Sequence, residues 1–245
     1  MRPQVEVVLT NWKRKNNLPL IIDAMRNQNV PCTITLIDNA PDESNAVEPH
    51  VSDQVDKYFR ISRHPYSSFL RYASHGFYEG DYLLIYDDDM IPGNECVSHF
   101  LNHANENPDY GVLGQFGRVV QSGVYSFRDI PQSKNRFTEV DICVCAYFVR
   151  SVPVMACIDQ LKKIVISRKK DFLLQHDDMI LAAACRLAKK KIALTPAGES
   201  IECHVKKQGL SQPFSLSDNS NWGKARTLAM KEINQIVMKY LSTNQ

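Results

Sequence analysis

The sequence predicts an α/β fold, a single domain built on a mainly parallel twisted sheet flanked by helices. Three observations carry that expectation. Short β-branched runs alternate along the chain with stretches whose apolar residues recur at helical spacing. The chain opens as strand, helix, strand over residues 5–9, 17–25 and 33–37, and a helical crossover of this kind pairs its two strands in parallel. A third apolar run, Tyr82-Leu83-Leu84-Ile85-Tyr86, stops abruptly at Asp87-Asp88-Asp89, as a buried strand does when it delivers polar groups to the edge of a sheet.

The elements follow in order. The first strand ends at Thr10-Asn11. Leu18-Pro19 then sets a proline in the first turn of a helix, where its missing N–H costs nothing. Leu20, Ile21, Ala24 and Met25 recur along that helix, and Asn29-Val30-Pro31 stops it. The second strand ends in Asp38-Asn39. Residues 55–61 read as a third strand, 67–78 as a helix closed by Gly80, 95–105 as the helix after the acidic strand, and 111–116 as a strand. Residues 119–137 show no clear period and read as a long loop or hairpin. Strand 140–149, helix 152–161 and a basic stretch at 162–170 come next. An alanine-rich helix within 172–187, headed by His176-Asp177-Asp178, leads to strands 192–195 and 201–205. Residues 206–221, rich in Ser, Gln, Asn, Gly and Pro, read as a mobile loop. The last segment, 222–241, reads as an amphipathic helix with Leu228, Ile233, Ile236 and Val237 inward.

Composition narrows the function. Of the 245 residues, 44% are hydrophobic and 23% charged, the balance of a globular chain with its own core. The net charge of +2, from 29 basic and 27 acidic residues, supplies no overall basic field for nucleic acid. The seven cysteines are odd in number and contain no CxxC pair. That reads as buried reduced thiols of a cytoplasmic protein rather than a zinc knuckle or disulfide framework. The first residues lack a signal-peptide core and no apolar run spans a bilayer, so action at a membrane would be peripheral or that of an excised catalytic domain.

The strand ends carry the chemistry. In open α/β sheets ligands bind beyond the carboxyl ends of the strands, which places Thr10, Asn11, Asp38 and Asn39 in one crevice. Three adjacent carboxylates repel one another, and a hard divalent cation such as Mn2+ or Mg2+ relieves that repulsion. Asp89 and Asp87 are the first candidates for its ligands. His204, following a predicted strand, is a candidate third ligand through a neutral imidazole. Asp177-Asp178 sits at a helix start, where the dipole favours negative charge. Capping needs one acid at most, and Asp178 is a candidate general base. The chain has only ten glycines and no GxxxxGK, so a bound diphosphate needs a metal and basic side chains rather than a glycine-rich cradle. Arg14, Arg71, Lys206 and Lys207 are the cations expected near the crevice. His99 and His103, four apart on a helix, lack the intervening glutamate of a metalloprotease and read as a solvated helix face. No Ser-His-Asp order stands out.

Taken together, these motifs resemble the nucleotide-sugar glycosyltransferases of the GT-A fold, most closely family 2, over roughly residues 5–205. Thr10-Asn11-Trp12-Lys13-Arg14 resembles the opening strand and turn, and Ile37-Asp38-Asn39 the second strand end, whose acid contacts the base. Leu70-Arg71-Tyr72 resembles the helix that brings a cation to the nucleotide. Asp87-Asp88-Asp89 is similar to the DxD motif that holds metal and ribose, and Asp177-Asp178 to the acid pair that supplies the base. Asp177 stands where glutamate is usual. The resemblance implies a metal-dependent, inverting transfer from a nucleoside diphosphate sugar, most simply a UDP-sugar, to a glycan, protein or lipid-linked acceptor hydroxyl. Residues 1–92 would hold the donor (Asp88 among its contacts), 93–205 the acceptor, and 206–245 a loop and closing helix. A nucleotidyltransferase is the alternative enzyme, disfavoured by a first loop without glycine. A calcium- or glycan-binding module is the non-catalytic alternative.

Overall fold

The computed structural model describes residues 4–61, 68–72, 78–121, 126–198, 200–203, 205–206 and 222–243. Runs of Val, Ile, Leu and Tyr that can bury both faces become its central strands. In chain order the elements are β1 (Val5–Asn11), α1 (Leu18–Arg26), β2 (Thr33–Asp38), α2 (Pro49–Ser52), β3 (Lys57–Arg60), β4 (Tyr82–Tyr86), β5 (Ile91–Pro92), α3 (Cys96–Glu106), β6 (Tyr110–Gln121), β7 (Ser126–Ile130), β8 (Thr138–Glu139), β9 (Ile142–Arg150), α4 (Ser151–Ser167), α5 (Asp177–Leu187), β10 (Lys191–Leu194), β11 (Val205–Lys206) and α6 (Trp222–Thr243). Nine strands form one sheet in the order β3-β2-β1-β4-β9-β6-β10-β8, with β7 paired to β6. β3, β2, β1 and β4 run parallel, as do β6 and β10. β9 lies antiparallel between β4 and β6. The expected α/β class is what the structure shows.

Each face of the sheet has its own core. One buries Leu18, Ile21, Ile22 and Met25 of α1 with Val97 and Phe100 of α3. The other buries Phe69, Leu70 and Tyr72 with the inner sides of α4, α5 and α6. Each fully buried Leu or Ile contributes about 1.5–3 kcal/mol. The connection from β1 to β2 therefore crosses one face, and the residues leading into β4 cross the other. β1 has β2 on one side and β4 on the other, which opens a crevice beyond its carboxyl end.

Several expectations change. The helix over 67–78 is described only as a 3-10 turn, Ser68–Tyr72. The strand expected over 201–205 is a 3-10 turn, Ile201–Cys203, followed by the two residues of β11. β11 pairs with β5 instead of joining the main sheet. Residues 119–137 open with a hairpin, β6 running on to Gln121 and pairing with β7. α4 continues through the basic stretch to Ser167, because Ile158, Leu161 and Val165 keep the helical period on its buried side. On α6, Ile233, Ile236 and Val237 are buried, whereas Leu228 is 51% exposed. Ala229 and Met230 take the inward positions there. His99 is buried, its Nε2 3.1 Å from Thr195 Oγ1. The face expected to be solvated is therefore packed.

Candidate functional site

The crevice is organised first by Asp38, the last residue of β2, which is fully buried. Its Oδ1 accepts from Asn11 Nδ2 at 2.7 Å and from the Ala40 amide at 3.1 Å. Its Oδ2 accepts from the Val47 amide and the Tyr58 hydroxyl, both at 3.0 Å. Asn11 Nδ2 also donates to Asn45 O at 2.9 Å. The paired ends of β1 and β2 thus fix the loop that runs from Ala40 to Val47. Asn39 is buried beside them. Asp38, expected to contact a ligand directly, divides its carboxylate between the loop amides of Ala40 and Val47 and the side chains of Asn11 and Tyr58.

The three acids after β4 meet two arginines. Arg14 NH1 donates to Asp88 Oδ1 at 2.8 Å and lies 3.2 Å from Asp89 Oδ2. Asn17, at the start of α1, gives its side chain no capping role and donates instead to Asp88 O at 2.8 Å. Arg71 NH1 donates to Asp87 Oδ1 at 2.7 Å, and NH2 donates to Thr10 Oγ1 at 3.2 Å. Arg71 Nε stands 3.5 Å from Asp177 Oδ2. Arg71 therefore bridges the acid after β4 and the acid opening α5. Burial disfavours its cation, and the carboxylates of Asp177 and Asp87 outweigh that effect. Burial raises the Asp87 carboxyl against the opposing pull of Arg71. Burial also raises Asp88 to about 6, with Arg14 opposing and the two flanking acids adding to it.

The backbone is shaped to this purpose. The Asp87 amide donates to Cys145 O at 3.1 Å. Cys145 sits at φ 72°, where β9 carries one residue more than β6 between matched pairs. A bulge with a residue in the left-handed region re-aims a strand at its rim. Beyond the acids, the chain at Glu202 packs so closely on Gly93 that a Cβ there would lie 2.3 Å from Glu202 O. That approach carries the backbone of Lys206 into register with Ile91.

The second acid pair opens α5. Asp178 is 6% exposed. Its Oδ1 accepts from the Met179 amide at 2.9 Å, and Arg226 NH2 of α6 donates to its Oδ2 at 2.6 Å. Arg226 was not singled out in the sequence. It lies 48 positions away on a helix with several other basic residues, and only its placement near the inward Ala229 and Met230 marks it. Burial holds the His176 imidazole down at about 4, with Arg226 adding to this. Burial raises Asp177 to about 6, opposed by Arg71 and reinforced by Asp178 and Asp87. Tyr72 and Tyr147 are buried against these acids, and burial pushes both phenols well up.

The structure thus gathers Thr10, Asn11, Arg14, Asp38, Asn39, Arg71, Asp87, Asp88, Asp89, Asp177 and Asp178 around one crevice, and adds Asn17 and Arg226 to them. His204 and Lys207 lie outside the described residues. Among the described residues no three His, Cys, Asp or Glu side chains gather as a metal centre. The chemistry of the donors nevertheless fits a hard cation. Asp87 and Asp89 carry the hard oxygen donors such an ion takes, and Asp177 Oδ2 is buried with no hydrogen-bond partner among the described residues.

No family model matches the chain, and no curated protein matches it in sequence. Solved structures do match in fold. S. aureus TarS 1-349 in complex with UDP-GlcNAc superposes with a TM-score of 0.56 at 13% identity, over 97% of this chain and 71% of that one. TarS 1-349 in complex with UDP gives 0.53 at 13% identity, over 80% and 58%. A longer TarS structure gives 0.55 at 14% identity, over 80% of this chain and only 35% of that one. The chain thus spans from about a third to less than three quarters of the length of these neighbours. The likeness shows a shared α/β fold, a large sheet flanked by helices.

Proposed function

We propose that this protein transfers a sugar from a nucleoside diphosphate sugar, most simply a UDP-sugar, to an acceptor hydroxyl. One observation supports the reading above the rest. Five carboxylates from two separate elements converge on the carboxyl edge of β1 and β4, interleaved with Arg14, Arg71 and Arg226, in a fold shared with a protein crystallised with UDP and UDP-GlcNAc. A purely structural site has no use for so much buried like charge.

In this reading the loop held by Asp38 forms the base pocket, and Asp38 acts by positioning it. Asp87 and Asp89 would hold Mn2+ or Mg2+, with His204 as a further ligand. When bound, the ion supplies positive charge to the diphosphate as the leaving group departs. Arg14 and Arg71 place cations next to the same phosphates, and in this reading Lys206 and Lys207 add to them. Asp178, held by Arg226, accepts the proton of the acceptor hydroxyl. The hydroxyl oxygen bonds to the anomeric carbon as the carbon–phosphate oxygen bond breaks, so the nucleoside diphosphate leaves and the configuration inverts. The arginine clamp on Asp178 favours a second reading of the base. Asp177, raised to about 6, has a basicity suited to a group working near neutral pH.

Calorimetry and product assay separate these roles. Asp89→Ala should abolish Mn2+-dependent UDP binding, and unchanged binding would remove the metal assignment. Asp178→Asn should keep donor binding and lose transfer by at least about 100-fold. If Asp177→Asn loses transfer instead while Asp178→Asn retains it, the base is Asp177.

A further inference from the structure

Away from the crevice, one surface combines positive charge with exposed apolar side chains. α5 is buried from Asp178 to Cys185, and α4 and α6 pack on it within the same core. The two outer helices run in opposite directions. The Tyr240 hydroxyl donates to Gln160 Oε1 at 3.3 Å, and Lys170, just past α4, pairs with Glu232. Their inner sides supply Ile158, Leu161 and Val165 from α4 and Ile233, Ile236 and Val237 from α6.

Their outer sides differ from an ordinary solvated surface. On α6, Lys224, Leu228, Lys231, Gln235 and Met238 recur at steps of three and four, and all are exposed. Towards the end of α4 and just past it, Lys163, Ile166, Arg168 and Lys169 are exposed too. Ile166 is 50% exposed, Leu228 51% and Met238 68%. α4 and α6 carry just two acids in sequence, Asp159 and Glu232, and Glu232 is paired with Lys170. The chain as a whole is almost neutral, at +2, so this face concentrates charge that the rest of the molecule balances.

We propose that the α4–α6 face docks peripherally on an anionic lipid bilayer. Lysine and arginine side chains meet the headgroup phosphates, while Ile166, Leu228 and Met238 enter the interfacial zone. Charge and apolar insertion together are what stable peripheral binding requires, since either signal alone is marginal. The apolar members are aliphatic or thioether chains, which suit acyl chains better than the flat stacking surfaces that single-stranded nucleic acid uses. Arg226, on the same helix, reaches Asp178, so docking here would hold the crevice close to the membrane plane. This surface does not depend on the donor chemistry above.

Co-sedimentation tests it directly. The full chain is mixed with 100 nm vesicles of phosphatidylcholine alone or with about 30% phosphatidylglycerol, at low and moderate salt. It should pellet with the anionic vesicles, stay in solution with the neutral ones, and be released by salt. K163E/K231E/K239E should weaken partitioning at least about 10-fold, and L228S/M238S should weaken it at low salt with the charges intact. All five positions are exposed, and a melting curve confirms that the variants fold. Absence of pelleting with anionic vesicles overturns the proposal, as does binding that survives the charge reversals. Tight binding to a labelled RNA homopolymer without vesicle binding would assign the face to nucleic acid and also overturn it.

Discussion

Three consecutive aspartates demand a counter-charge, and the protein supplies part of it from arginines. Arg14 answers Asp88 and Asp89, and Arg71 answers Asp87 and Asp177. The acids remain costly despite this help, because burial raises Asp87, Asp88 and Asp177 above the ordinary carboxyl range. The sign of the consequence follows from proton uptake. Between about pH 4 and 6 the folded protein binds these protons more tightly than the unfolded chain does. Stability therefore falls as pH rises through that window, and the full cost is present at neutral pH. His176 works the other way. Its folded value of about 4 lies below the ordinary imidazole value, so it adds stability as pH rises towards 6.5. Asp177→Asn removes one costly charge. Its melting temperature should exceed the parent's at pH 7.5, and the gain should vanish near pH 4.5. An equal gain at both pH values would mean that the carboxylate is not the source of the cost. Stability surrendered at a site in this way is the expected signature of function.

The pair Arg226–Asp178 ties α6 to α5 across 48 positions. Both side chains are nearly buried, so removing one leaves an uncompensated charge. Arg226→Ala should cost about 3–5 kcal/mol in urea unfolding. Arg226→Lys keeps the charge but loses the fork geometry that holds the carboxylate. It should recover most of the stability while kcat stays at least about 10-fold low, with donor affinity unchanged. If the lysine variant restores kcat along with stability, Arg226 is structural and does not position the base. This pair also marks where sequence reading stops. β4 and the helix after Leu18-Pro19 were legible because their signals are local: a five-residue apolar run and a proline in a first turn. The acid clusters were legible for the same reason. Arg14 and Arg71 were legible as cations near the crevice, but the acid each one meets was not, and Arg226 was missed, because these pairings arise only through strand order and helix packing. β11 was misread because a short run ending at Val205 has the composition of a strand but is held by β5 and the close approach at Gly93.

The two ends of the parallel strands divide the work of the molecule. At the amino end a single acid is spent wholly on structure. Glu6, 1% exposed, accepts from Thr35 Oγ1 at 2.5 Å and from the Glu79 amide at 2.9 Å, and pairs with Lys57 at 3.3 Å. It joins β1, β2, β3 and the entry to β4 through one carboxylate. At the carboxyl end five acids crowd together with shared counter-ions. The asymmetry has a testable form. Glu6→Ala should destabilise the fold by roughly 3 kcal/mol, because Lys57, the Thr35 hydroxyl and the amides of Glu79 and Gly80 lose their partner. For a chain of this length that lowers the melting temperature by about 6–12 °C. UDP with Mn2+ at 100 times its dissociation constant should add about 2.7 kcal/mol to parent and variant alike, since the carboxyl edge is unchanged. Equal ligand shifts on unequal baselines would show that the two edges act independently. A smaller shift in Glu6→Ala would mean that the amino-end carboxylate also sets the spacing of β1 and β4 at the crevice, and that the sheet transmits strain from one edge to the other.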